Sequence, residues 1–351
     1  MTAAALLHHL AFAAGLALLS AAVVRLMIAV RVMDTPEARK AHDRPTPKGG
    51  GVGILVAFLV GIGLTYAFAA YARLPEPYFQ GMIAASVAIA VVAFLDDLFN
   101  WPFVVKLAAQ VLAALVVVGS GFYVTDYNVP YVGPLLVGPL GPLATLVWLL
   151  FVTNAMNFID GLNGLASGVA FIACGFLAGI AATHGGWFGY FAALMLAAGI
   201  LGFLPFNFPR ARIFMGDVGS QFCGFMLAVL AVVASRFDAI DLPLLLMPML
   251  LAGVLYDVAF TLARRTLAGH RITEAHRGHL YQVAQRSGMP AVAVTLVHWG
   301  FAAYGGLCCL VFIATPPVWK PLVPLLVLPP QLAWTAWVAA RARQAGLQRW
   351  G

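Results

Sequence analysis

Carboxylate and amide side chains gather in four places along this chain, each near the end of a hydrophobic segment. The places are Asp96-Asp97, the series from Asn154 to Asp160, the stretch from Asn207 to Asp217, and Asp257 with the downstream residues His276 to His279. Ionisable groups at the edge of a bilayer are costly, so several that converge predict a functional site. Carboxylates and amides of this kind suit chemistry on a metal-bound phosphate.

Asp96 and Asp97 are adjacent at the end of an apolar run. Two neighbouring carboxylates repel each other unless a cation or a proton intervenes. Mg²⁺ prefers one or two carboxylates together with phosphate oxygens, so a Mg²⁺-bound diphosphate would relieve the repulsion. The alternative is a solvated helix end without a ligand.

Asn154, Asn157 and Asp160 follow one another at intervals of three residues, which places neighbours on one stripe of a helix. The glycines around Asn163 end that helix and permit close backbone approach to a ligand. The amides could therefore bind a sugar or a base. Polar contacts between helices, common in membrane bundles, are the alternative interpretation.

The stretch from Asn207 to Ser220 combines cationic, aromatic and acidic side chains. Arg212 suits a phosphate, Phe214 could stack on a nucleobase, and Asp217 lies between two glycines that let a ligand approach. A basic loop with an acidic helix cap is the simpler alternative.

Two basic segments complete the set. His276, Arg277 and His279 suit neutralisation of a diphosphate, and zinc is a rival that lacks an accompanying cysteine. Lys48 follows His42-Asp43-Arg44 in a segment rich in Pro and Gly, where it could contact phosphate or simply set orientation.

Composition identifies the elements that must position these residues. The 351-residue chain is 62% hydrophobic and only 9% charged, against about 25% charged in soluble domains. We predict an all-α bundle forming one integral-membrane domain over residues 1–351, with no nucleic-acid partner. A span needs about 20 apolar residues, which gives eleven candidates: 5–30, 52–70, 81–97, 105–122, 143–159, 164–183, 188–205, 220–236, 243–262, 291–313 and 321–340.

Charge asymmetry orients the bundle. The loops after even-numbered spans hold only Arg73, Arg236 and Lys320. Most other Lys and Arg residues, including Arg39, Lys40, Arg44 and Arg349, fall in the opposite loops or at the C-terminal end. The positive-inside rule predicts an outer N-terminus, a cytosolic C-terminus and every polar cluster on the cytosolic face. A transporter or channel is the main alternative, but it would place charge near mid-membrane.

These stretches together resemble the polyprenyl-phosphate N-acetylhexosamine-1-phosphate transferase family. The shared patterns are His-x-Arg-Pro-x-Pro-x-Gly-Gly-Gly at 42–51, the Asp pair at 96–97 with Lys106 and Gln110 downstream, Asn-x-x-Asn-x-x-Asp-Gly at 154–161, Phe-Met-Gly-Asp-x-Gly-Ser at 214–220 and His-Arg-x-His at 276–279. They extend over most of the chain in the family's order. The resemblance implies a helical bundle of ten or eleven spans with a cytosolic site.

The resemblance implies a reaction in which a UDP-N-acetyl sugar gives its sugar-1-phosphate to undecaprenyl phosphate, and UMP leaves. It implies Mg²⁺ as cofactor, with Mn²⁺ as a substitute, bound chiefly by Asp217 with Asp97. Asp96 or Asp97 would orient or deprotonate the lipid phosphate or act as a nucleophile. We favour direct attack, since a phosphate monoester already ionises near pH 6.

Further roles are implied at the matching positions. Phe214 resembles the position that stacks on uracil, and Asn157, Asp160 and Asn207 resemble positions that support nucleotide binding or catalysis. Substrate binding is also expected of these residues: Asn154, Asn163, Lys48, Lys106 and Arg212. The resemblance further suggests a bacterial inner-membrane location and a homodimer.

This sequence differs from the family's usual pattern at two places. Asn163 stands where many members have Asp, and the loop reads His-Arg-Gly-His instead of a triple His. The second departure favours the branch that initiates O-antigen or exopolysaccharide over the peptidoglycan phospho-N-acetylmuramoyl-pentapeptide transferase, which stays the alternative within the family.

Overall fold

The computed structural model describes residues 2–34, 45–129, 133–136, 138–236, 240, 243–271, 276–347 and 350. Helices make up most of this part of the chain. In order they are α1 (Ala3–Val30), α2 (Gly51–Phe68), α3 (Tyr78–Phe99), α4 (Phe103–Gly119), α5 (Leu140–Ile159), α6 (Leu165–Thr183), α7 (Trp187–Asn207), α8 (Gly216–Ala234), α9 (Leu246–Leu250), α10 (Ala252–Leu267), α11 (Leu280–Arg286), α12 (Ala291–Ala314) and α13 (Leu328–Gln344). Shorter 3-10 segments cover Ala70–Ala72, Pro243–Leu245 and Pro317–Val327.

Most of these helices can cross a membrane. Within the described ranges, 9 are long and apolar enough, or 10 if the bent pair ending in α10 is one span. Each predicted span coincides with an apolar helix or helix pair, although α4 has only 17 residues. The predicted all-α polytopic membrane protein is therefore confirmed, while the number of crossings and their direction stay predictions.

The predicted span 243–262 corresponds to a bent pair of helices in the structure. The chain bends by 74° between Pro243–Leu250 and Ala252–Leu267. Pro248 lies inside α9 and has no N–H to give to the preceding turn, a common cause of such breaks. As a result α10 leaves at a new angle and packs against α5, α11 and α12.

Two small antiparallel strand pairs, which the sequence did not predict, interrupt the helices. One joins β1 (Met33–Asp34) to β2 (Thr46–Pro47), and the other joins β3 (Asp126–Val129) to β4 (Gly133–Leu136). Next to the first pair, the Lys48 amide donates to the carbonyl of Val32 at 2.7 Å. These bonds fix the segment before α2 beside the end of α1.

Helix α8 lies at the centre of the bundle. It packs against α2, α3, α5, α6 and α7. Of the residues in its most apolar stretch, 94% are buried. By contrast, only 28% of the residues in the most apolar stretch of α1 are buried, and only 22% of those in Pro317–Gln344, so these elements lie at the periphery. The N-terminus of α8 is therefore a rigid central point on which a site can be built.

Candidate active site

Four of the predicted carboxylates meet at one end of the bundle. Asp96 and Asp97 occupy the last turn of α3, Asp217 the first turn of α8, and Asp160 follows directly after α5. All four line one cavity of about 320 Å³. Its wall consists of Asp34, Lys48, Asp96, Asp97, Asn100, Lys106, Asn157, Asp160, Gly161, Leu162, Asn163, Asn207, Phe214, Met215, Gly216, Asp217, Arg277, Tyr281, Gln282 and Gln285.

Two lysines balance the negative charge. The Nζ of Lys106 lies 2.9 Å from Oδ2 of Asp96 and 3.1 Å from Oδ2 of Asp217. The Nζ of Lys48 lies 3.4 Å from Oδ1 of Asp97. The ammonium group of Lys106 holds carboxylates from α3 and α8 together. Both lysines also give the cavity the cations that a phosphate requires.

An amide network orients Asp217. The side-chain amide of Asn157 donates to Oδ1 of Asp217 at 3.1 Å and to Oγ of Ser220 at 2.9 Å. Gln221, one turn along α8, donates to Oδ2 of Asp217 at 3.3 Å. The carboxylate is therefore held from two sides with both oxygens engaged.

Asn154 was predicted to bind substrate, but the structure does not place it on the cavity wall. Its amide donates to Oε1 of Gln110 at 2.6 Å, and Gln110 donates to Oε1 of Gln221 at 3.0 Å. Gln221 in turn reaches Asp217. The Asn154 amide group thus supports the site through the buried amides of Gln110 and Gln221.

The segment before α2 is joined to the segment before α8 by backbone hydrogen bonds. The amide of Phe214 donates to the carbonyl of Pro47 at 2.8 Å. The amides of Gly50 and Gly51 donate to the carbonyls of Phe214 and Met215, both at 2.9 Å. Two motifs distant in sequence therefore form one wall of the cavity.

Glycines make this approach possible. A Cβ on Gly51 would collide with the backbone of Gly219. Gly216 has φ of +74°, where a side chain is strained, and a Cβ there would lie 2.6 Å from Oδ2 of Asp97. The amide of Val218 donates to that same carboxylate at 3.3 Å. The glycine-rich patterns thus serve close packing of α8 against α3 and α2.

Asp160 lies just beyond the end of α5. Burial raises the pKa of this carboxyl well above its usual range, and the negative charges of Asp217 and Asp97 raise it further. The side chain has no hydrogen-bond partner within the described part of the chain. A cation or a polar substrate group in the cavity would therefore stabilise its ionised form.

Asn207 and Asn163 line the cavity, but their amides are largely occupied by the protein. Asn207 is buried, accepts from the amide of Gly164 at 2.6 Å and donates to the carbonyl of Ile213 at 3.0 Å. Asn163 donates to the carbonyl of Pro209 at 3.2 Å. Both residues tie the loop after α5 to the loop after α7, which a carboxylate at position 163 could not do by donation.

The segment 276–286, which we call the arm, closes another side of the cavity. Arg277, Tyr281, Gln282 and Gln285 line it, whereas the two histidines do not. His276 accepts at Nδ1 from the amide of Gly278 at 3.2 Å. Burial lowers the pKa of His276 to about 4, helped by the neighbouring His279, Arg265 and Arg264. Near neutral pH His276 is uncharged, so Arg277 is the arm's cation at the cavity.

Of the remaining predicted residues, one lines the cavity, one does not, and the others lie outside the described ranges. Phe214 lines the cavity and is half-buried, while Arg212 is exposed and does not line it. His42, Asp43 and Arg44 lie outside the described residues, as do Arg39, Lys40 and Arg349 from the charge count.

Several residues at the site were missed by sequence reasoning. They are Asp34, Asn100, Gln221, Tyr281, Gln282 and Gln285. Gln221 could have been found, because an amide inside an apolar span one turn after Asp217 shares its helix face. Whether the other residues reach the site depends on the path of the loops, and the sequence has no periodic pattern that predicts that path.

The site suits a divalent cation that also binds substrate oxygens. Among the described residues, no three His, Cys, Asp or Glu side chains form a ready-made metal cluster. Mg²⁺ does not need one, since one or two carboxylates with phosphate oxygens and waters complete its shell. Oδ1 of Asp96 is buried without a hydrogen-bond partner in the described structure, which leaves an acceptor beside Asp97 and Asp217 for a cation or its water.

Comparisons with known proteins agree with this geometry. The family model described as glycosyl transferase family 4 matches residues 79–235. The chain is 32% identical over 305 residues to the decaprenyl-phosphate N-acetylglucosaminephosphotransferase of Mycobacterium tuberculosis (strain ATCC 25618 / H37Rv), covering 79% of this chain and 75% of that one. It is 28% identical over 308 residues to the probable undecaprenyl-phosphate N-acetylglucosaminyl 1-phosphate transferase of Bacillus subtilis (strain 168), covering 87% and 84%.

A relative from Thermotoga maritima, an undecaprenyl-phosphate alpha-N-acetylglucosaminyl 1-phosphate transferase, is 29% identical over 259 residues, covering 72% of this chain and 73% of that one. An apolar helical bundle with lysines and carboxylates around one terminal cavity defines a class of integral-membrane proteins suited to phosphate chemistry. Within that class, the chain belongs to the polyprenyl-phosphate hexosamine-1-phosphate transferase family.

Proposed function

We propose that this protein transfers N-acetylhexosamine-1-phosphate from a UDP-sugar to undecaprenyl phosphate and releases UMP. The observation that carries the proposal is the convergence of Asp96, Asp97 and Asp217 with Lys48 and Lys106 in one cavity at the ends of apolar helices. A lipid phosphate and a water-soluble nucleotide can meet only at such a boundary. The relatives named above favour N-acetylglucosamine as the sugar.

The reaction needs positioning and charge neutralisation more than proton transfer. An oxygen of the lipid phosphate attacks the phosphorus that bears the sugar. The bond from that phosphorus to the bridging oxygen breaks, and UMP leaves with the bridging oxygen. Because a phosphate monoester loses its second proton near pH 6, no strong base is required.

Different side chains of this chain bind the phosphates, the uracil ring and the cation. Lys48, Lys106 and Arg277 neutralise phosphate oxygens, and Asp96 orients the lipid phosphate. Phe214 stacks on the uracil ring. Asp217 and Asp97 would hold Mg²⁺, or Mn²⁺ in its place, and the ion would supply charge neutralisation at the diphosphate.

The cellular setting is part of the proposal. The acceptor lipid and the charge asymmetry of the loops favour a bacterial inner membrane with the cavity on the cytosolic face. The product would start a lipid-linked polysaccharide such as O-antigen, and the enzyme would act as a homodimer.

A radiolabel assay tests the reaction. Purified protein in detergent receives undecaprenyl phosphate, Mg²⁺ and labelled UDP-N-acetylglucosamine, and lipid-extractable label and UMP are measured. We expect both products in equal amounts and their loss in excess EDTA. Asp217→Asn should lower turnover by about a hundredfold or more.

Glu76→Gln is the matched control, because Glu76 is an exposed acid that does not line the cavity. It should transfer sugar at the wild-type rate. No transfer by folded wild-type protein from any of a panel of UDP-N-acetyl sugars would overturn the proposal. Undiminished turnover in EDTA would remove the divalent cation from it.

A further inference from the structure

Asp257 on α10 lies behind the cavity wall and is 1% exposed. Its carboxylate accepts three hydrogen bonds from residues of the arm at the start of α11. Oδ1 accepts from Nδ1 of His279 and from the amide of Leu280, both at 3.0 Å. Oδ2 accepts from the amide of Tyr281, also at 3.0 Å. One buried side chain thus binds three consecutive residues.

The arm depends on such an anchor. Helix α11 has 7 residues, and helices this short are not stable by themselves in water. The arm places Arg277, Gln282 and Gln285 on the cavity wall. Any rotation of α11 about its axis would move Gln282 and Gln285 together, and Arg277 lies three residues before the helix.

The bonds to Asp257 fix both the position and the chemistry of His279. A carboxylate only accepts, so Nδ1 of His279 must carry the proton that it donates. The backbone amide of His279 meanwhile donates to Oε1 of Gln282 at 3.2 Å. On the cavity side, the Tyr281 hydroxyl donates to the carbonyl of Phe158 at 3.0 Å. The arm is therefore held between α10 and the end of α5.

We propose that Asp257 is a positioning residue, which holds the arm so that Arg277, Gln282 and Gln285 contact the sugar-phosphate part of the nucleotide donor. This inference rests on the proposed function. The assignment to the donor follows from chemistry, because the arm offers neutral amides as well as a cation. A sugar has hydroxyl and acetamido groups for those amides, whereas the lipid acceptor presents only a phosphate.

Substitutions at position 257 test whether the hydrogen bonds of Asp257 to the arm matter, or only the presence of a buried side chain there. Asn retains one acceptor oxygen, but its NH₂ group would face backbone or ring N–H donors of the arm. Glu keeps both acceptor oxygens on a stem that is one methylene longer. Thr261 also donates to Oδ1 of Asp257, at 3.2 Å, but it belongs to α10. Thr261→Val therefore removes a bond to the same carboxylate without touching the arm.

The kinetic test uses full-length protein and varies one substrate at a time. We expect Asp257→Asn to lower kcat/KM for UDP-N-acetylglucosamine by about 10- to 100-fold. Its KM for the nucleotide sugar should rise while its KM for undecaprenyl phosphate stays unchanged. Asp257→Glu should recover part of the loss, and Thr261→Val should remain near wild type.

Amide hydrogen exchange measured by mass spectrometry tests the anchor without any turnover. In Asp257→Asn we expect faster exchange across residues 277–286, which include the two amides bound to Asp257. Peptides that contain Asp96 or Asp217 should exchange as in the wild type.

Three outcomes would overturn the inference. Unchanged exchange in the arm would show that Asp257 does not hold it, and equal rises in both KM values or faster exchange throughout would indicate a general structural role. If the wild type transferred no sugar, the proposed function would fail, whereas the exchange experiment would still decide whether Asp257 anchors the arm.

Discussion

At the scale of single residues, the site is a cluster of acids paired with two lysines. Lys106 contacts carboxylates from two different helices, whereas Lys48 contacts one at a longer distance. Asp96 and Asp97 are buried, so removal of a partner leaves a charge that water cannot fully solvate. The two lysines should therefore differ in importance.

We predict that Lys106→Met lowers transfer by about a hundredfold and also lowers the melting temperature. Lys48→Met, the matched change, should lower transfer by about tenfold, because it releases only Asp97. Initial rates and thermal unfolding in detergent measure both effects. A larger loss in the Lys48 variant would contradict the assigned order.

Asp160 allows a prediction about pH. Its pKa is raised in the folded protein, so above the usual carboxyl range the unfolded chain loses this proton first. Ionisation of Asp160 therefore favours unfolding, and this contribution makes the ligand-free protein less stable as pH rises from that range towards the raised pKa.

Asp160→Asn removes that unfavourable charge. We expect the ligand-free variant to melt about 2–5 °C higher at neutral pH and to depend less on pH, while transfer falls. Differential scanning fluorimetry from pH 4 to 8 provides the comparison. A lower melting temperature at neutral pH would show that the carboxylate is stabilised in the folded state.

At the scale of elements, the cavity exists because α2 and α8 touch at their glycines. Gly51 packs directly on the backbone of Gly219 at the start of both helices. Further along α2, a Cβ on Gly63 would meet nothing within 4 Å. Two glycines of one helix thus have different tolerance for a methyl group.

We predict that Gly51→Ala destabilises the protein by about 1–3 kcal/mol or more and displaces the wall next to Asp217, so that transfer is lost. Gly63→Ala should be neutral or slightly stabilising, because alanine favours a helix. Thermal unfolding of the two variants in one detergent compares them. Equal melting temperatures would mean that the two helices can separate without cost.

At the scale of the whole molecule, the charge asymmetry of the loops predicts which face of the membrane holds the cavity. Glu76 lies between α2 and α3 and Gln344 ends α13, and both are exposed. The four native cysteines are buried, which keeps the background of thiol labelling low.

We predict that Glu76→Cys reacts with a membrane-impermeant maleimide in intact cells, whereas Gln344→Cys reacts only after permeabilisation. Mass shift on a gel reports both. The reverse pattern would place the cavity on the outer face, away from the nucleotide sugar, and would contradict the proposed function as well as the orientation.

Much of the architecture followed from sequence alone. A bilayer demands long apolar helices, so composition and Pro and Gly breaks were enough to find each apolar span, although not the short helix α11 in the predicted loop 263–290. The same logic found Asp96, Asp97, Asp160 and Asp217, because carboxylates at the ends of apolar runs are costly without a function. The length of an apolar run and the presence of a carboxylate at its end are local properties, which can be read directly from the sequence.

Tertiary structure decided what the polar side chains contact. Lys106 and Asp217 are 111 positions apart, and only the packing of α4 near α8 brings them together. Asn154 and Asn207 have the residue type expected of ligand-binding groups, yet their amides bind other protein groups. Helix periodicity gives a side chain's direction around its own axis, whereas its partner depends on the crossing of helices and the path of loops, which no local pattern encodes.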